Sequence, residues 1–358
     1  MRRFEPQLTE VPFARHTTLA VGGPARYFSR ITNVDDLAAA HQWSAERGEP
    51  LFILGGGSNL VVADDGFEGL VLQMGIGGVE FRLRGDDTLL RAGAGEVWDE
   101  VVEAAVKRAL VGLECLSGIP GSVGGTPVQN VGAYGQEVAN TIDSVTCFDR
   151  KTGAPVTLTN ADCQFAYRMS RFKREDAGRF VVCGVTFRLR PGPPTITYPD
   201  VVKFFQREMV GSPGVADARA GILEIRRRKG MVLDPADADT RSVGSFFMNP
   251  VVAADVHARL EGGAPGFGTA DGVKVPAAWL IERAGFAKGY DAGRVGLSTK
   301  HPLAIVNRGG ATARDVVSFA ARIKRQVVDR FGVWLRPEPV LLGFGDDPDV
   351  AYLQKASS

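Results

Sequence analysis

The chain has 358 residues, of which 44% are apolar and 23% are charged, so its length allows two or three globular domains. The formal net charge of +1 gives no electrostatic reason to expect a nucleic acid or an anionic membrane as a partner. No stretch approaches the roughly 20 apolar residues that span a bilayer, and no apolar run follows the arginines of MRRFEPQLTEVPF, so we expect neither a membrane anchor nor a signal peptide.

The first third of the chain mixes helix and strand patterns. Acidic residues follow Asn33, and Gly48 ends the apolar pattern, which predicts a helix over 35–47. Residues 98–110 place apolar side chains on one helical face and predict a second helix. Strands separated by glycine or acidic turns are predicted over 51–54, 69–74, 79–85 and 88–95.

The middle of the chain continues this mixture. Residues 144–159 predict a hairpin that turns near Gly153, and residues 179–190 predict a long strand. The proline-rich segment 191–200 predicts a loop, and 220–230 predicts a basic helix.

The clearest helix pattern lies near the C-terminus, over 312–331. Thr312 and Asp315 form a capping pattern, and Val316, Phe319, Ile323, Val327 and Phe331 recur on one face. Strands and helices mix without strict alternation along the whole chain, so the predicted fold class is α+β.

The cysteines indicate a reducing compartment. None lies in a CxxC pair or clusters with the four histidines, so we expect reduced, buried thiols in a cytoplasmic protein and no metal site. The cysteines are Cys115, Cys147, Cys163 and Cys183.

A first glycine-rich loop, GGGSN over 55–59, follows the strand at 51–54. Leu60 stands where a Rossmann fingerprint has its third glycine, and no helix pattern follows, so a Rossmann interpretation fails. A P-loop is excluded because no GK[ST] ending is present. The loop is either a plain turn between strands or a turn whose backbone N–H groups, with Ser58 and Asn59, hold phosphate oxygens.

A second glycine-rich loop, GIPGSVGGTPVQNVGAYG over 118–135, holds six glycines and few large side chains. It is much longer than an ordinary connection of about 4–6 residues. An ordered glycine-rich segment of this length usually lies against a ligand, because missing side chains allow close backbone approach. Tyr134, Ile119, Val128 and Val131 are suited to border a flat, buried ring, so the two loops together favour a dinucleotide ligand.

With these loops in place, a set of ordered motifs resembles the UDP-N-acetylenolpyruvoylglucosamine reductase family from His16 to about Leu342. Members are flavoenzymes that complete UDP-N-acetylmuramate for bacterial peptidoglycan. The motifs are HTTLAVGGPARYF (16–28), GGGSN (55–59), GIPGSVGG with QNVGAYG (118–135), YRMSRFK (167–173), GSFFMNP (244–250), PAAWLIERAGFAKG (276–289) and WLRPEP (334–339).

The resemblance implies an FAD-binding module of the vanillyl-alcohol-oxidase (PCMH) type in two subdomains, plus an α+β substrate domain. The implied boundaries are 1–70 with 337–358 returning to it, 71–215, and 216–336. We expect FAD to be non-covalent, because the four histidines lie outside both glycine loops. The residues implied for FAD are Gly55, Gly56, Gly57, Ser58, Asn59, Leu60, Ile119, Pro120, Gly121, Gly124, Gly125, Val128, Gly132, Val182 and Arg226.

The implied reaction has two hydride transfers. NADPH reduces FAD at N5, and reduced FAD passes hydride to C3 of the enolpyruvyl group of UDP-N-acetylglucosamine enolpyruvate. Negative charge then builds on C2 and the carboxylate, and requires a cation and a proton. The resemblance places Arg168 beside the carboxylate and Glu338 beside the enolate, and makes Ser245 the proton donor to C2.

The resemblance also implies residues that bind the rest of the sugar nucleotide. Tyr198 matches a tyrosine on a mobile closing loop that one of two family subtypes has. Met248 departs from the family, which often has lysine there, so an extra phosphate contact at this position is in doubt. We expect a monomer. The implied substrate residues are Tyr134, Tyr198, Lys229, Asn249 and Lys288.

Other interpretations remain open on the sequence. The nearest histidine along the chain to Ser245 is His257, and VGSFF is not GxSxG, so a hydrolase nucleophile has no base and the serine is either the proton donor or a silent buried residue. An FAD-dependent oxidase or dehydrogenase would share the fold. An inactive nucleotide-sugar sensor would keep the fold without turnover. We expect Phe246 and Phe247 to anchor the loop beside Ser245.

Overall fold

A computed structural model describes residues 4–260 and 262–356; the outer ends of the predicted first domain and of its returning segment lie outside the described residues. The chain divides into two compact units. The first comprises Met1–Val11, Ala25–Gly57 and Glu68–Val232, and the second comprises Pro12–Pro24, Ser58–Phe67 and Leu233–Ser358. The division into three domains implied by the resemblance stays a prediction.

The described residues form both strands and helices. The strands are β1 (Leu8–Pro12), β2 (Pro24–Ile31), β3 (Leu51–Leu54), β4 (Leu60–Val62), β5 (Phe67–Met74), β6 (Val79–Arg84), β7 (Asp87–Gly93), β8 (Leu110–Val111), β9 (Gly132–Ala133), β10 (Gln136–Glu137), β11 (Ile142–Asp149), β12 (Ala154–Thr159), β13 (Phe180–Pro191), β14 (Ser242–Ser245), β15 (Val251–Val252), β16 (Phe267–Thr269), β17 (Gly272–Lys274), β18 (Val295–Leu297), β19 (Ala304–Asn307) and β20 (Val340–Leu342). The helices are α1 (Val34–Arg47), α2 (Trp98–Val106), α3 (Pro199–Arg207), α4 (Val215–Arg228), α5 (Ala254–Ala258), α6 (Ala277–Arg283), α7 (Ala313–Phe331) and α8 (Pro348–Gln354).

The first unit is built on two main sheets. One has the strand order β1-β2-β5-β3, in which β3 runs parallel to β5. The other has the order β12-β11-β13-β7-β6, and its neighbouring strands are antiparallel. Trp98 of α2 packs against Phe187 of β13 with ring centroids 5.7 Å apart, and both side chains are buried. This helix and sheet therefore support the second glycine loop, which follows α2 along the chain.

The predicted helix over 35–47 is confirmed as α1. The side chain of Asn33 accepts a hydrogen bond from the Asp36 amide at 2.8 Å, and Gly48 ends the helix in the left-handed conformation. The predicted hairpin and the strand after it are confirmed as β11, β12 and β13.

The helix predicted over 98–110 is shorter than expected. It ends at Val106, and Ala109 adopts a left-handed φ of 54°. Leu110 and Val111 pair instead with β13, so backbone pairing with the sheet overrides the apolar periodicity on which the prediction rested. The predicted loop over 191–200 ends early, because Pro199 occupies the first turn of α3.

The second unit contains three small sheets around α7. Their strand orders are β14-β19-β18, β15-β17-β16 and β20-β4, and the last pair is parallel. The predicted capping pattern of α7 is confirmed, since Thr312 and Asp315 exchange hydrogen bonds between side chains and backbone amides. Both carboxylate oxygens of Asp64 accept amides in the first turn of α7, where the helix dipole favours a negative charge. Within the described part of the chain, no helix has the length and apolar character needed to cross a membrane.

Lys324 of α7 holds the C-terminal helix α8. Its buried ammonium donates to the carbonyl oxygens of Tyr352, Leu353 and Lys355 at 3.0, 2.8 and 2.7 Å. Carbonyls at a helix C-terminus have no partner within the helix, so one side chain satisfies three acceptors that burial would otherwise penalise.

Replacing Lys324 with methionine keeps most of the apolar stem and removes these donors. We expect the free energy of unfolding to fall by about 2 kcal/mol, because buried carbonyls lose a charged donor. Urea denaturation measures the change. Arg325→Met is the matched control, because Arg325 forms an exposed ion pair with Asp349, and its loss should stay below about 1 kcal/mol. Equal losses in the two variants would contradict the role given to Lys324.

Candidate functional site

The two glycine loops lie against each other in the first unit. A Cβ atom at Gly56 would be 2.6 Å from the Cα of Gly121 and 3.2 Å from the backbone nitrogen of Ser122. A Cβ at Gly55 would be 2.8 Å from the Ser122 hydroxyl oxygen. At Gly56 the opposing atoms are backbone, so no side chain fits there and this glycine is required by the contact between the loops.

The predicted FAD residues divide between the two units. Ser58, Asn59 and Leu60 belong to the second unit, and the others belong to the first. Within the second loop, the amides of Gly124 and Gly125 donate to backbone carbonyls at 2.9 and 3.0 Å. These amides are therefore engaged within the protein, and a role for the two glycines in binding FAD would come from their lack of side chains.

Arg226 of α4 is a buried cation beside the second loop. Its Nη2 donates to the carbonyl oxygen of Met231 at 2.7 Å. Its Nε is buried and has no hydrogen-bond partner among the described residues, and a Cβ at Gly118 would lie 3.5 Å from it. A buried N–H without an acceptor is costly, so a ligand oxygen would complete this arrangement.

These features fit FAD. The cofactor carries pyrophosphate and ring carbonyl oxygens, which are the acceptors that a buried guanidinium N–H requires. The side-chain-free contact between Gly56 and Gly121 gives the close backbone approach that nucleotide-binding loops use. Val182, the remaining predicted FAD residue, is buried within β13 and pairs with Cys147.

The predicted substrate residues Tyr134, Tyr198 and Lys229 form one cluster. The two tyrosine rings meet edge to face with centroids 5.4 Å apart, and Lys229 Nζ lies 5.7 Å from the Tyr134 ring centroid. Asp200, which the sequence did not single out, accepts a hydrogen bond from Lys229 at 2.8 Å. Burial is the largest single effect and lowers the pKa of Lys229, but the hydrogen bond to Asp200 and the electrostatic attraction of Asp200 and the two tyrosines together outweigh it, so the pKa is raised and the lysine is charged.

Arg168 adopts an unfavourable backbone conformation next to the second loop. Its φ is 54°, and Tyr134 and Asn130 also have left-handed φ values of 50° and 45°. Such conformations cost about 1–3 kcal/mol each and concentrate at functional sites. Arg168 Nη2 donates to the carbonyl oxygen of Gly132 at 2.6 Å, which holds the guanidinium against the loop.

In the second unit, backbone hydrogen bonds fix the residues that follow Ser245. The Phe246 amide donates to the Leu303 carbonyl, and the Glu338 amide donates to the Phe246 carbonyl, both at 2.8 Å. Phe246 and Phe247 are buried with ring centroids 5.1 Å apart, which confirms that they anchor the segment. Two predicted catalytic residues, Ser245 and Glu338, therefore lie on hydrogen-bonded neighbouring segments.

A histidine accompanies Ser245. Its hydroxyl oxygen lies 3.1 Å from Nε2 of His301, which is 56 residues away along the chain. Antiparallel pairing of β14 with β19 places Ser245 opposite Ala304, and Gly244 supplies a left-handed φ of 74° just before the serine. The expectation that Ser245 has no base within reach is therefore wrong. His301 has no spacing pattern with Ser245 in the sequence, because the pairing of β14 with β19 brings the two residues together.

Asn59 joins the same region of the second unit. Its side-chain amide donates to the Glu338 carbonyl at 3.3 Å, and the Val340 amide donates to the Asn59 carbonyl at 3.0 Å. The parallel pairing of β4 with β20 begins at the next residue, Leu60. A predicted FAD residue and a predicted catalytic residue are thus held side by side.

Asn249 and Lys288 are the two remaining predicted substrate residues, and both belong to the second unit. The side-chain oxygen of Asn249 accepts the Ala277 amide at 2.9 Å, so it satisfies a donor in the first turn of α6. Lys288 is exposed in the turn after α6. Their roles in substrate binding stay predictions.

Comparison with known proteins identifies the family to which the chain is similar. A family model described as an FAD binding domain matches residues 25–159, and one described as the UDP-N-acetylenolpyruvoylglucosamine reductase C-terminal domain matches residues 234–342. The reductase of Thermobifida fusca (strain YX) is 47% identical over 352 residues, 93% of this chain and 97% of that protein. The Streptomyces coelicolor reductase is 45% identical over 358 residues, 96% of this chain and 92% of that protein.

A solved structure gives the same result for the fold. The reductase from Thermus caldophilus superimposes with a TM-score of 0.66 at 26% identity, over 95% of this chain and 100% of that one. The predicted fold class, α+β with an FAD-binding module, is confirmed.

The contact between the glycine loops is tested by Gly56→Ala. The added methyl group would displace the backbone of Gly121, so we expect the affinity for FAD to fall about tenfold or more, equivalent to roughly 1.4 kcal/mol. Flavin fluorescence on dilution measures FAD release. Gly211→Ala is the control, because a Cβ there meets nothing within 4 Å. Unchanged FAD affinity in Gly56→Ala would show that the cofactor does not depend on this contact.

Proposed function

The chain belongs to the UDP-N-acetylenolpyruvoylglucosamine reductase family, and we propose that it converts UDP-N-acetylglucosamine enolpyruvate to UDP-N-acetylmuramate with NADPH as reductant. As a member of this family it is an FAD-dependent oxidoreductase. The observation that carries the proposal is the backbone hydrogen bond from Glu338 to Phe246, which joins the segment that carries Ser245 to the segment that carries Glu338. The product is a precursor of bacterial peptidoglycan.

FAD, when bound, accepts a hydride from a nicotinamide and passes a hydride to an electron-poor alkene. The residues of this chain that would hold it without a covalent bond are the two glycine loops and Arg226. The contact between Gly56 and Gly121 leaves no room for a side chain at Gly56, so the cofactor is able to approach the backbone there. Arg226 Nε is a buried donor for a cofactor oxygen. Burial of the Arg226 guanidinium removes it from water, and the lower local dielectric constant strengthens its interaction with a cofactor oxygen.

Arg168 is suited to bind the carboxylate of the enolpyruvyl group. A guanidinium is a planar cation that binds a carboxylate with two parallel N–H donors. The hydrogen bond to the Gly132 carbonyl sets the plane of the guanidinium before substrate arrives. Such a fixed cation stabilises the negative charge that builds on the carboxylate when hydride reaches C3.

Ser245 is suited to complete the reaction by protonating C2. An alcohol is a weak acid, so it gives up its proton only to a strongly basic acceptor, and a carbanion next to a carboxylate is one. Glu338 lies on the hydrogen-bonded neighbouring segment, and its proposed role is to assist at the enolate. Burial of Phe246 and Phe247 holds the segment that follows Ser245 in place.

We propose that the tyrosine–lysine cluster responds to the substrate. Lys229 is paired with Asp200 and faces the ring of Tyr134, so binding of a diphosphate at Lys229 would compete with the Asp200 carboxylate. The Tyr198 ring packs on Tyr134 just before α3. Displacement of Asp200 from Lys229 would therefore change the packing of Tyr198 and the position of the loop that carries it.

A cytoplasmic location is part of the proposal. The four cysteines are unpaired with one another and buried, as expected in a reducing compartment. Burial raises the pKa of Cys115 to about 12, so this thiol stays protonated and unreactive. The monomeric state expected from the resemblance stays a prediction.

The proposed activity is tested by following FAD absorbance in the two half-reactions. Under anaerobic conditions, NADPH should bleach the bound flavin, and UDP-N-acetylglucosamine enolpyruvate should restore its colour. Rapid recovery with oxygen alone and no response to the sugar nucleotide would instead indicate an oxidase or dehydrogenase of small alcohols.

Ser245→Ala separates the two half-reactions. Because the proposed role of the hydroxyl is confined to C2, we expect flavin reduction by NADPH to keep its rate and reoxidation by the sugar nucleotide to slow by roughly 10²–10⁴-fold. Stopped-flow absorbance measures both rates in one preparation, so the first half-reaction is the internal control. Equal losses in both half-reactions would contradict the role of proton donor.

A further inference from the structure

We propose that His301 is a positioning residue, which donates its Nε2–H to the Ser245 hydroxyl oxygen and thereby directs the serine proton toward C2. The inference rests on the proposed function, since it assigns a task to a partner of the proposed proton donor. The observation that supports it is the 3.1 Å separation of the two side-chain atoms.

The imidazole is held on a turn that is tied down at several points. The His301 amide donates to the Ser298 hydroxyl oxygen at 3.2 Å, and the Ala304 amide donates to the His301 carbonyl at 3.2 Å. Two neighbouring residues of the turn are also bound, since Thr299 donates to Asp239 and Lys300 forms an ion pair with Asp237. A turn fixed in this way keeps the ring at a constant distance from β14.

The direction of the hydrogen bond decides what the pair of side chains is able to do. If the hydroxyl of Ser245 donates to His301, its proton is withdrawn from the oxygen and the serine becomes a nucleophile. If the imidazole donates, its N–H occupies a lone pair of the Ser245 oxygen, and the Ser245 O–H then points away from the imidazole toward another acceptor. Only the second direction suits a serine that must give its own proton to a carbon atom.

The electron pair on C2 forms the new C–H bond, the O–H bond of Ser245 breaks, and its electron pair stays on oxygen. The Nε2–H of His301 hydrogen-bonds the resulting alkoxide and stabilises its charge. A proton from water then restores the hydroxyl, so the histidine ends the cycle as it began.

The test uses reduced FAD-loaded protein mixed rapidly with UDP-N-acetylglucosamine enolpyruvate. For His301→Ala we expect reoxidation to slow about 10–100-fold, because without the imidazole the Ser245 O–H no longer points toward C2. Flavin reduction by NADPH should keep its rate. His301→Gln should recover most of the rate, since its amide N–H reaches a similar place. His301→Asn is too short to do so and should behave like His301→Ala, which makes it the substitute if the alanine variant does not fold.

A double-mutant cycle distinguishes positioning of Ser245 from general support of the fold. In a Ser245→Ala background, His301→Ala should cause no further slowing, because the group it positions is gone. His257→Gln is the matched control, since this histidine belongs to the same unit and lies 3.0 Å from the Ala264 carbonyl oxygen. It should leave both half-reactions unchanged.

Three results would overturn the inference while the proposed function stands. They are a His301→Ala variant as fast as wild type, a glutamine variant no better than the asparagine variant, and a full additional loss in the Ser245→Ala background. Covalent labelling of Ser245 by a fluorophosphonate probe would indicate the opposite hydrogen-bond direction and would also overturn it. If reduced wild-type protein does not respond to the sugar nucleotide at all, the proposed function fails, and the inference fails with it.

Discussion

Two backbone hydrogen bonds, from Phe246 to Leu303 and from Glu338 to Phe246, fix the part of the molecule on which the proposed chemistry depends. They bind the segment after Ser245 on both sides. The serine, the carboxyl group and the imidazole lie far apart in the sequence, and these bonds join the three segments that carry them. Because the bonds join backbone atoms, the arrangement does not depend on flexible side chains. Burial of both phenylalanines then prevents the segment from shifting. The position of the Ser245 hydroxyl is therefore a consequence of strand pairing.

The first unit solves a different problem, which is to bring backbone close to a large cofactor. There the essential feature is the absence of side chains, since the space between Gly56 and Gly121 is too small for even one methyl group. Burial of Arg226 adds a donor whose Nε finds no acceptor in the described part of the protein. The left-handed conformation of Arg168 adds local strain, which the hydrogen bond to Gly132 helps to offset. Together these features describe a surface organised for a ligand and not for its own stability.

Local signals in the sequence predicted elements well where the interactions are themselves local. The caps of α1 and α7 involve residues three apart. The α7 cap was predicted from the Thr312–Asp315 spacing, and the start of α1 from Asn33 and the acidic residues after it. The end of α2 was wrong because pairing with β13, distant in sequence, decides it. His301 was missed for the same reason, and so was the partner of Lys229, Asp200. The glycine loops were recognised because their composition is unusual, but their mutual contact depends on the packing of the whole unit.

The central claim is that a hydroxyl proton, exchangeable with water, reaches C2 while the hydride reaches C3. The most direct test is to run the reaction in D₂O with unlabelled NADPH and to locate deuterium in the isolated product by NMR. We predict deuterium at C2 of the new lactyl group, because C2 of the alkene carries no hydrogen and the Ser245 hydroxyl exchanges its proton with water. Protium at C2 would mean that the hydride from NADPH reaches C2, and would contradict the assignment of an exchangeable hydroxyl as the source of that hydrogen.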